Sequence, residues 1–180
     1  MILWINGAFG VGKTSIAIEL NRRIPKSFIY DPENVGYFIR ENAPKLFSEG
    51  DFQDIPLWRK MNFEMLMLLS SRFEGVIIVP MTLTSGLYYD EIITNLVSSG
   101  IDVKHFILCA SKETIVKRLK KRSMGRSEDF ALQAIDGCLH SFGTSISGTK
   151  IVTDYKSIDA VVIEIAERCN IELMQDDGLG

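Results

Sequence analysis

The sequence has few of the residues on which metal and disulfide chemistry depend. Only two histidines and three cysteines occur in 180 residues, and no two cysteines form a CxxC pair. Neither histidine lies at metal-ligand spacing from a cysteine, so we expect neither a zinc site nor a disulfide framework. We interpret both histidines as structural, and the cysteines as thiols of a protein in the reducing cytoplasm.

Long apolar runs and a net positive charge are also missing. The longest apolar runs, such as Val76–Val79, have the length of a strand, whereas a membrane span needs about 20 apolar residues. The formal net charge is -3, which gives no overall field to attract nucleic acid or an anionic membrane. We therefore expect a cytoplasmic protein with no nucleic-acid partner and no membrane association.

Apolar runs of strand length alternate with stretches of helix length along the whole chain. The expected strands are Ile2–Asn6, Ser27–Tyr30, Gly75–Met81, Val103–Ala110 and Lys150–Thr153. The expected helices are Lys13–Arg23, Val35–Glu41, Leu57–Phe73, Ser85–Ser99, Lys112–Arg122, Glu128–Ser141 and Ser157–Cys169. Strands that are apolar on both faces and alternate with helices predict a doubly wound α/β sheet. We expect one domain over residues 1–173, with a short lid near 123–128 and a flexible acidic tail over 174–180.

The segment Gly7–Thr14 carries the complete phosphate-loop pattern G-x-x-x-x-G-K-[ST] between an expected strand and an expected helix. Glycines let backbone N–H groups close around phosphate, and the positive end of the next helix faces the same anion. Lys13 would reach the β- and γ-phosphates, and the Thr14 hydroxyl would bind Mg²⁺. The expected nucleotide contacts are Gly7, Ala8, Phe9, Gly10, Val11, Gly12, Lys13, Thr14 and Ser15.

Two further absences decide which nucleotide is expected. The third strand runs into Pro80-Met81-Thr82 and lacks the aspartate that normally ends a Walker-B strand. The guanine-recognition string Asn-Lys-x-Asp is also absent. We therefore expect ATP with Mg²⁺, and the residues available near the metal besides Thr14 are Asp31 and Thr82.

Asp31 and Glu33 follow the second strand, at the edge of the sheet where ligands of parallel sheets bind. Asp31 can accept a proton from a substrate hydroxyl or order a Mg²⁺ water, and Glu33 can hold substrate donors. Asp31 can equally cap a turn before Pro32, and a glutamate in a first helical turn needs no other reason.

Basic and aromatic residues provide the remaining candidates. Arg118 and Arg122 share one helix face and could clamp ATP, with Arg126 on a lid; they could equally complement a helix dipole in solvent. Arg40 and Trp58 could contact the acceptor, or could be a surface arginine and a packing tryptophan.

Several strings of the sequence, taken together, go beyond a generic phosphate loop. They are Trp4–Gly10 with Gly12–Thr14, Tyr30–Glu33, Asp51–Gln53 with Pro56–Arg59, Val79–Thr82, Ala110–Thr114 with Arg118, Leu119 and Arg122, and Thr153-Asp154. In these strings the chain resembles the bacterial tunicamycin-resistance proteins, within the nucleoside-kinase-like P-loop proteins.

The resemblance implies a three-layer kinase-like α/β fold, with a five-stranded parallel sheet in the order 2-3-1-4-5. It implies an ATP-binding protein that protects cells from tunicamycin, a uridine-bearing nucleoside antibiotic. In kinases of the wider group, an acid matching Asp31 serves the acceptor hydroxyl, and arginines matching Arg118 and Arg122 clamp ATP. We accordingly expect Lys13, Asp31, Arg118 and Arg122 to be catalytic.

Three functions remain open from the sequence. The first is a small-molecule kinase that transfers the γ-phosphoryl group of ATP to a hydroxyl of an antibiotic or nucleoside-like acceptor. The second is an ATP-dependent protein that binds and sequesters the drug without chemistry. The third is a regulatory P-loop ATPase. The sequence fits a monomer and a homodimer equally.

Overall fold

Five parallel strands form the centre of the protein. The computed structural model describes residues 1–44, 50–122 and 126–175, with the backbone alone for residues 122 and 126–131. The strands are β1 (Ile2–Gly7), β2 (Ser27–Ile29), β3 (Val76–Pro80), β4 (Val103–Cys109) and β5 (Thr149–Val152). They form one sheet in the order β2-β3-β1-β4-β5. The predicted fold class and strand order are confirmed.

Helices cover both faces of this sheet. They are α1 (Lys13–Arg23), α2 (Glu33–Asn42), α3 (Pro56–Arg72), α4 (Gly86–Tyr89), α5 (Asn95–Ser98), α6 (Lys112–Arg122), α7 (Arg126–Thr144) and α8 (Ile158–Cys169). A 3-10 turn at Phe52–Asp54 precedes α3, and a π-helical turn at Asp90–Thr94 joins α4 to α5. The single helix expected over Ser85–Ser99 is therefore interrupted by a wider turn.

Two boundaries differ from the sequence prediction in ways that concern the site. Helix α2 begins at Glu33 instead of Val35, because Pro32 already has the helical φ of -61°. Helix α7 begins at Arg126, so residues 126–128 of the expected lid are helical, and residues 123–125 lie outside the described residues.

The central strand β1 divides the core into two layers. Leu3 and Ile5 are buried against α1 and the C-terminal helices, whereas Ile2 and Trp4 are buried against the layer that contains α3. Successive side chains of a strand point to opposite faces, so a strand covered on both faces must be apolar throughout. This burial fixes the end of β1, and with it the start of the phosphate loop.

The C-terminal part of the described chain is tied to α1. Met174 donates its N–H to the Arg23 carbonyl (2.8 Å), and Arg23 also pairs with Asp159 of α8. These contacts extend one residue past the predicted domain limit at 173. No helix in the described ranges is long and apolar enough to cross a membrane.

Helix α2 packs tightly on the 3-10 turn because it carries a glycine at the contact. A Cβ atom on Gly36 would lie 2.6 Å from Phe52 Cγ, far inside van der Waals contact. Phe52 in turn packs on Trp58 with ring centroids 5.4 Å apart, so it has little room to move away. Gly36 therefore sets how closely α2 approaches the segment before α3.

This packing predicts the effect of a Gly36→Ala substitution. Overpacking should lower the free energy of unfolding by about 1–3 kcal/mol, although alanine is the better helix former. Gly137 of α7 is the matched control, because no described atom outside its own helix backbone and its chain neighbours lies within 4 Å of its Cβ position. Gly137→Ala should be neutral or stabilising by roughly 0.5–1 kcal/mol. Urea unfolding measures both variants, and equal responses would contradict the packing argument.

Candidate functional site

The loop between β1 and α1 adopts a conformation that depends on glycine. Gly7, Gly10 and Gly12 have φ angles of 142°, 79° and 113°, a region that residues with a Cβ atom rarely adopt. Gly10 also leaves no room for a side chain, since a Cβ atom would lie 2.7 Å from Leu119 Cγ. The three glycines of the motif are therefore backbone requirements.

The two chemical groups of the loop lie at its mouth. Lys13 Nζ donates to the Gly7 carbonyl (2.9 Å) and the Ala8 carbonyl (3.1 Å), and it lies 5.4 Å from the centre of the Phe9 ring. Thr14 is exposed to the adjoining pocket. Charged acceptors bind an ammonium group more strongly than neutral carbonyls do, so phosphate oxygens could take over the lysine from the loop.

Asn6 holds the first peptide of the loop. This fully buried side chain accepts the N–H groups of Gly7 (2.8 Å) and Leu83 (2.9 Å) on Oδ1, and it donates from Nδ2 to the Leu83 carbonyl (2.9 Å). Thr82 donates its hydroxyl to the Gly7 carbonyl (2.9 Å). The segment after β3 is thus bonded to the phosphate loop, and the Thr82 hydroxyl supports the loop.

His105 on β4 completes this network. Its Nδ1 lies 2.8 Å from the Ser147 carbonyl, which can only accept, so Nδ1 carries the proton. Nε2 then accepts from Asn6 Nδ2 at 3.2 Å, which orients the asparagine amide. Burial lowers the pKa of His105 to about 4, so the ring is neutral near pH 7. The expected structural role of His105 thus includes a support of the loop.

A pocket of about 740 Å³ extends from the phosphate loop to α2 and the 3-10 turn. Lys13 and Thr14 line one end, and Asp31 lines the same pocket from the loop after β2. Asp31 Oδ1 also accepts the Glu33 N–H (2.9 Å), so the carboxylate caps the first turn of α2 as well. The two interpretations of Asp31 left open by the sequence are therefore compatible.

Besides Asp31, two of the other three expected acceptor contacts line the pocket, at its far end. Glu33 accepts the Tyr37 hydroxyl (3.1 Å), and Arg40 donates to the Gly50 carbonyl (2.7 Å). Trp58, by contrast, is fully buried and donates its indole N–H to the Pro32 carbonyl (3.0 Å). The expected direct contact between Trp58 and the acceptor is therefore corrected. Trp58 is buried in the core and its indole N–H is bonded to Pro32, so it supports the loop before α2 instead.

Arg118 bonds to the phosphate loop itself. Its guanidinium donates to the Val11 carbonyl (2.9 Å), the Thr153 hydroxyl (3.1 Å) and the Thr153 carbonyl (2.8 Å). Arg118 thus links the phosphate loop to the residue after β5, so it is not the solvent-exposed helix residue that the sequence left open as an alternative. Arg122 is the last residue of α6, and the side chains of Arg122 and Arg126 lie outside the described residues.

A second polar cluster fixes the start of α6. In the sequence analysis its residues appeared only among the segments that carry the family resemblance. Asp154 accepts the Ser111 N–H (3.0 Å), the Ser111 hydroxyl (2.8 Å) and the Thr114 hydroxyl (2.7 Å). These hydrogen bonds hold the pKa of Asp154 below its usual value. The strings around Ser111 and Thr153-Asp154 therefore form one structural unit that positions Arg118.

The fold and the phosphate loop define the class of protein: a P-loop protein with the kinase-like fold. The shikimate kinase of Bacteroides thetaiotaomicron is 17% identical, with 94% of this chain and 98% of that chain covered and a TM-score of 0.61. The APS kinase of Mycobacterium tuberculosis, solved with AMPPNP and APS, is 17% identical, with coverages of 94% and 96% and a TM-score of 0.63. At these identities the likeness concerns the fold alone.

One structure is more similar than these in sequence and in shape. The tunicamycin resistance protein of Deinococcus radiodurans is 27% identical, with 97% of this chain and 99% of that chain covered and a TM-score of 0.75. No protein-family model and no curated protein matches the chain. The resemblance to the tunicamycin-resistance proteins, stated from the sequence strings, is confirmed by this structural match.

The His105 network predicts how stability depends on pH. The folded pKa of about 4 lies below the usual 6.5, so between these values the unfolded chain binds more protons. Stability should therefore fall as pH decreases from about 6.5 to about 4. For a partly exposed ring we expect a loss on the order of 2 kcal/mol. Urea unfolding across this range should show the loss reduced in His105→Gln and retained in His140→Gln, a substitution of an exposed ring on α7. An unchanged pH response in His105→Gln would contradict the assignment.

Proposed function

We propose that this protein is an ATP-dependent phosphotransferase that acts on a hydroxyl group of a small molecule. The observation that supports this most directly is the single pocket that Lys13, Thr14 and Asp31 line together. A phosphate donor at the loop and an acceptor near Asp31 would then lie side by side, as phosphoryl transfer requires.

The residues of the loop fit ATP with Mg²⁺. The glycines at positive φ leave the backbone free to approach phosphates, and Lys13 donates to the Gly7 and Ala8 carbonyls, which phosphate oxygens can replace. Among the described residues, no group of three or more His, Cys, Asp or Glu side chains could hold a metal ion. This suits Mg²⁺ that is carried by the nucleotide, with Thr14 as the protein ligand and Asp31 near its waters. Such an ion neutralises charge on the phosphates.

Asp31 would act as the base of the transfer. One carboxylate oxygen accepts the Glu33 N–H, which fixes the orientation of the group. In the proposed step the acceptor oxygen bonds to the γ-phosphorus, its proton passes to Asp31, and the bond to the β–γ bridging oxygen breaks to release ADP. Lys13 stabilises the charge that develops, and we assign the same role to Arg122, and to Arg118 once it leaves its bonds to Val11 and Thr153.

The acceptor that we propose is an antibiotic or nucleoside-like compound, by analogy with the tunicamycin resistance protein. A protein that sequesters the drug without chemistry is the principal alternative, and a regulatory ATPase is the third. Mass analysis of tunicamycin and of nucleosides, incubated with the protein, ATP and Mg²⁺, separates these: transfer adds a phosphoryl group, whereas sequestration leaves the mass unchanged.

Nucleotide binding predicts a stability gain that depends on Lys13. ATP with Mg²⁺ at about 100 times Kd should stabilise the fold by roughly 2.7 kcal/mol. For a domain of this size, this raises Tm by roughly 5–10 °C. Lys13→Ala should lose most of the shift, and Lys60→Ala, an exposed lysine of α3 outside the pocket, should keep it. Equal melting of wild type and Lys13→Ala with saturating Mg-ATP would show that the loop assignment is wrong.

The base assignment predicts a separation of binding from chemistry. Asp31→Asn retains an oxygen that can accept the Glu33 N–H, so α2 and ATP binding should be preserved. Phosphoryl transfer should fall by roughly 100-fold or more, because the acceptor proton then has no base. Asp136→Asn, an exposed carboxylate of α7, should keep wild-type turnover. Cells that carry Asp31→Asn at normal protein levels and stay fully resistant to the drug would favour sequestration over catalysis.

A further inference from the structure

The pocket divides into two ends of opposite charge. Lys13 lies at the phosphate end, together with the N-terminus of α1. At the other end the charged side chains of the described lining are Asp31, Glu33 and Asp51 against Arg40. Negative charge therefore predominates where an acceptor would bind, although the nucleotide end is built for anions.

The one described cation at the acceptor end, Arg40, makes contacts within the protein, while its buried Nε has no hydrogen-bond partner among the described residues. Arg40 donates to the Gly50 carbonyl (2.7 Å), and its guanidinium carbon lies 5.2 Å from the centre of the Phe52 ring. Its charge also acts on Asp51, whose pKa it lowers against the larger effect of burial. Arg40 thus holds the 3-10 segment to α2 and partly compensates a neighbouring carboxylate.

The carboxylates, by contrast, keep acceptor capacity on the pocket side. Asp51 accepts the Gln53 N–H on Oδ1 (2.9 Å) and receives a long contact from Gln53 Nε2 on Oδ2 (3.4 Å). Glu33 receives a single neutral donor, the Tyr37 hydroxyl. Burial raises the pKa of Asp51, so a donor or a positive charge beside it would relieve the cost of its ionised form.

The segments whose side chains are not described carry no net positive charge. Residues 45–49 contain Lys45 and Glu49, residues 122–131 contain two arginines and two carboxylates, and residues 176–180 contain two aspartates. The excess of carboxylates at the acceptor end is counted from the described lining alone.

We propose that the acceptor of this protein is a hydroxylated molecule without anionic groups, and that a protonated amine on it strengthens binding through Glu33 and Asp51. The proposal rests on the proposed function, because it names the acceptor class of the same pocket. Hydroxyl and ammonium groups donate to carboxylates, whereas a carboxylate or phosphate on the acceptor would face like charges close by. The pocket thus selects against acids by repulsion and for donors by attraction.

The test compares glucose with two sugars that each change one of its substituents: an amine replaces the C2 hydroxyl in glucosamine, and a carboxylate replaces the C6 hydroxymethyl group in glucuronate. Glucosamine, glucose and glucuronate carry charges of about +1, 0 and -1 at neutral pH. Their Kd values are measured by ligand-observed NMR titration against the protein saturated with AMPPNP and Mg²⁺, so that no turnover is needed. We expect glucosamine to bind at least about 10-fold more tightly than glucuronate, with glucose between them. Added salt should reduce the difference.

Variants locate the selection in the named side chains. The double substitution Glu33→Gln and Asp51→Asn should bring the glucosamine and glucuronate Kd values to within about twofold of each other. Glu64→Gln, an exposed carboxylate of α3 outside the pocket lining, should leave the order unchanged. A retained preference in the double variant would overturn the assignment to these two residues.

The outcome for the wild type decides the acceptor class separately from the activity. Glucuronate that binds as tightly as glucosamine, or no measurable glucosamine binding, would overturn the proposal. Phosphoryl transfer to an anionic acceptor would do the same and leave the kinase function standing. The expected order of the three sugars, in a protein that never forms a phosphorylated product, would instead support the acceptor class and remove the kinase function.

Discussion

The position of the Gly7 peptide is the constraint on which the rest of the site depends. Its N–H is bound by Asn6, and its carbonyl is bound by both Thr82 and Lys13. Asn6 is in turn oriented by His105, whose tautomer is set by a backbone carbonyl of another segment. Strands β1 and β4 and the segment after β3 thus determine where the phosphate loop begins. The loop is thus held at its base by hydrogen bonds from three segments, as a pre-formed phosphate site requires.

The parts of the fold that depend on local pattern could be predicted from the sequence. Both faces of β1 are buried, so its apolar residues, followed by the phosphate-loop motif, correctly predicted a central strand. The phosphate loop needs glycine at positive φ, and the spacing of these glycines can therefore be recognised in the sequence alone. The π-helical turn that divides the expected helix Ser85–Ser99 into α4 and α5 corresponds to no such pattern, and the sequence analysis did not predict it.

Contacts between distant segments decided the positions that the sequence left open. Arg118 bonds to Val11 and to Thr153, which are separated from it by 107 and 35 residues, and no helix periodicity contains that information. Trp58 packs against Phe52, which in turn contacts α2 at Gly36, so the packing around Trp58 involves a glycine of another helix. In the sequence, Asn6 is one more residue of a strand, and its importance follows from its four hydrogen bonds to three residues, Gly7, Leu83 and His105. In the sequence, only the segments that resemble the tunicamycin-resistance proteins pointed to these residues, and that resemblance gives no physical reason for their roles.

The loop after β2 joins the two ends of the pocket and explains why one residue there has two tasks. Asp31 caps α2 through the Glu33 N–H, and α2 carries Glu33, Tyr37 and Arg40 along the acceptor end. Any shift of the Asp31 carboxylate would therefore move the start of the helix that forms the opposite wall. Under the proposed function, a substitution that keeps the cap would remove the chemistry alone, whereas one that removes the cap would disturb the start of α2 as well.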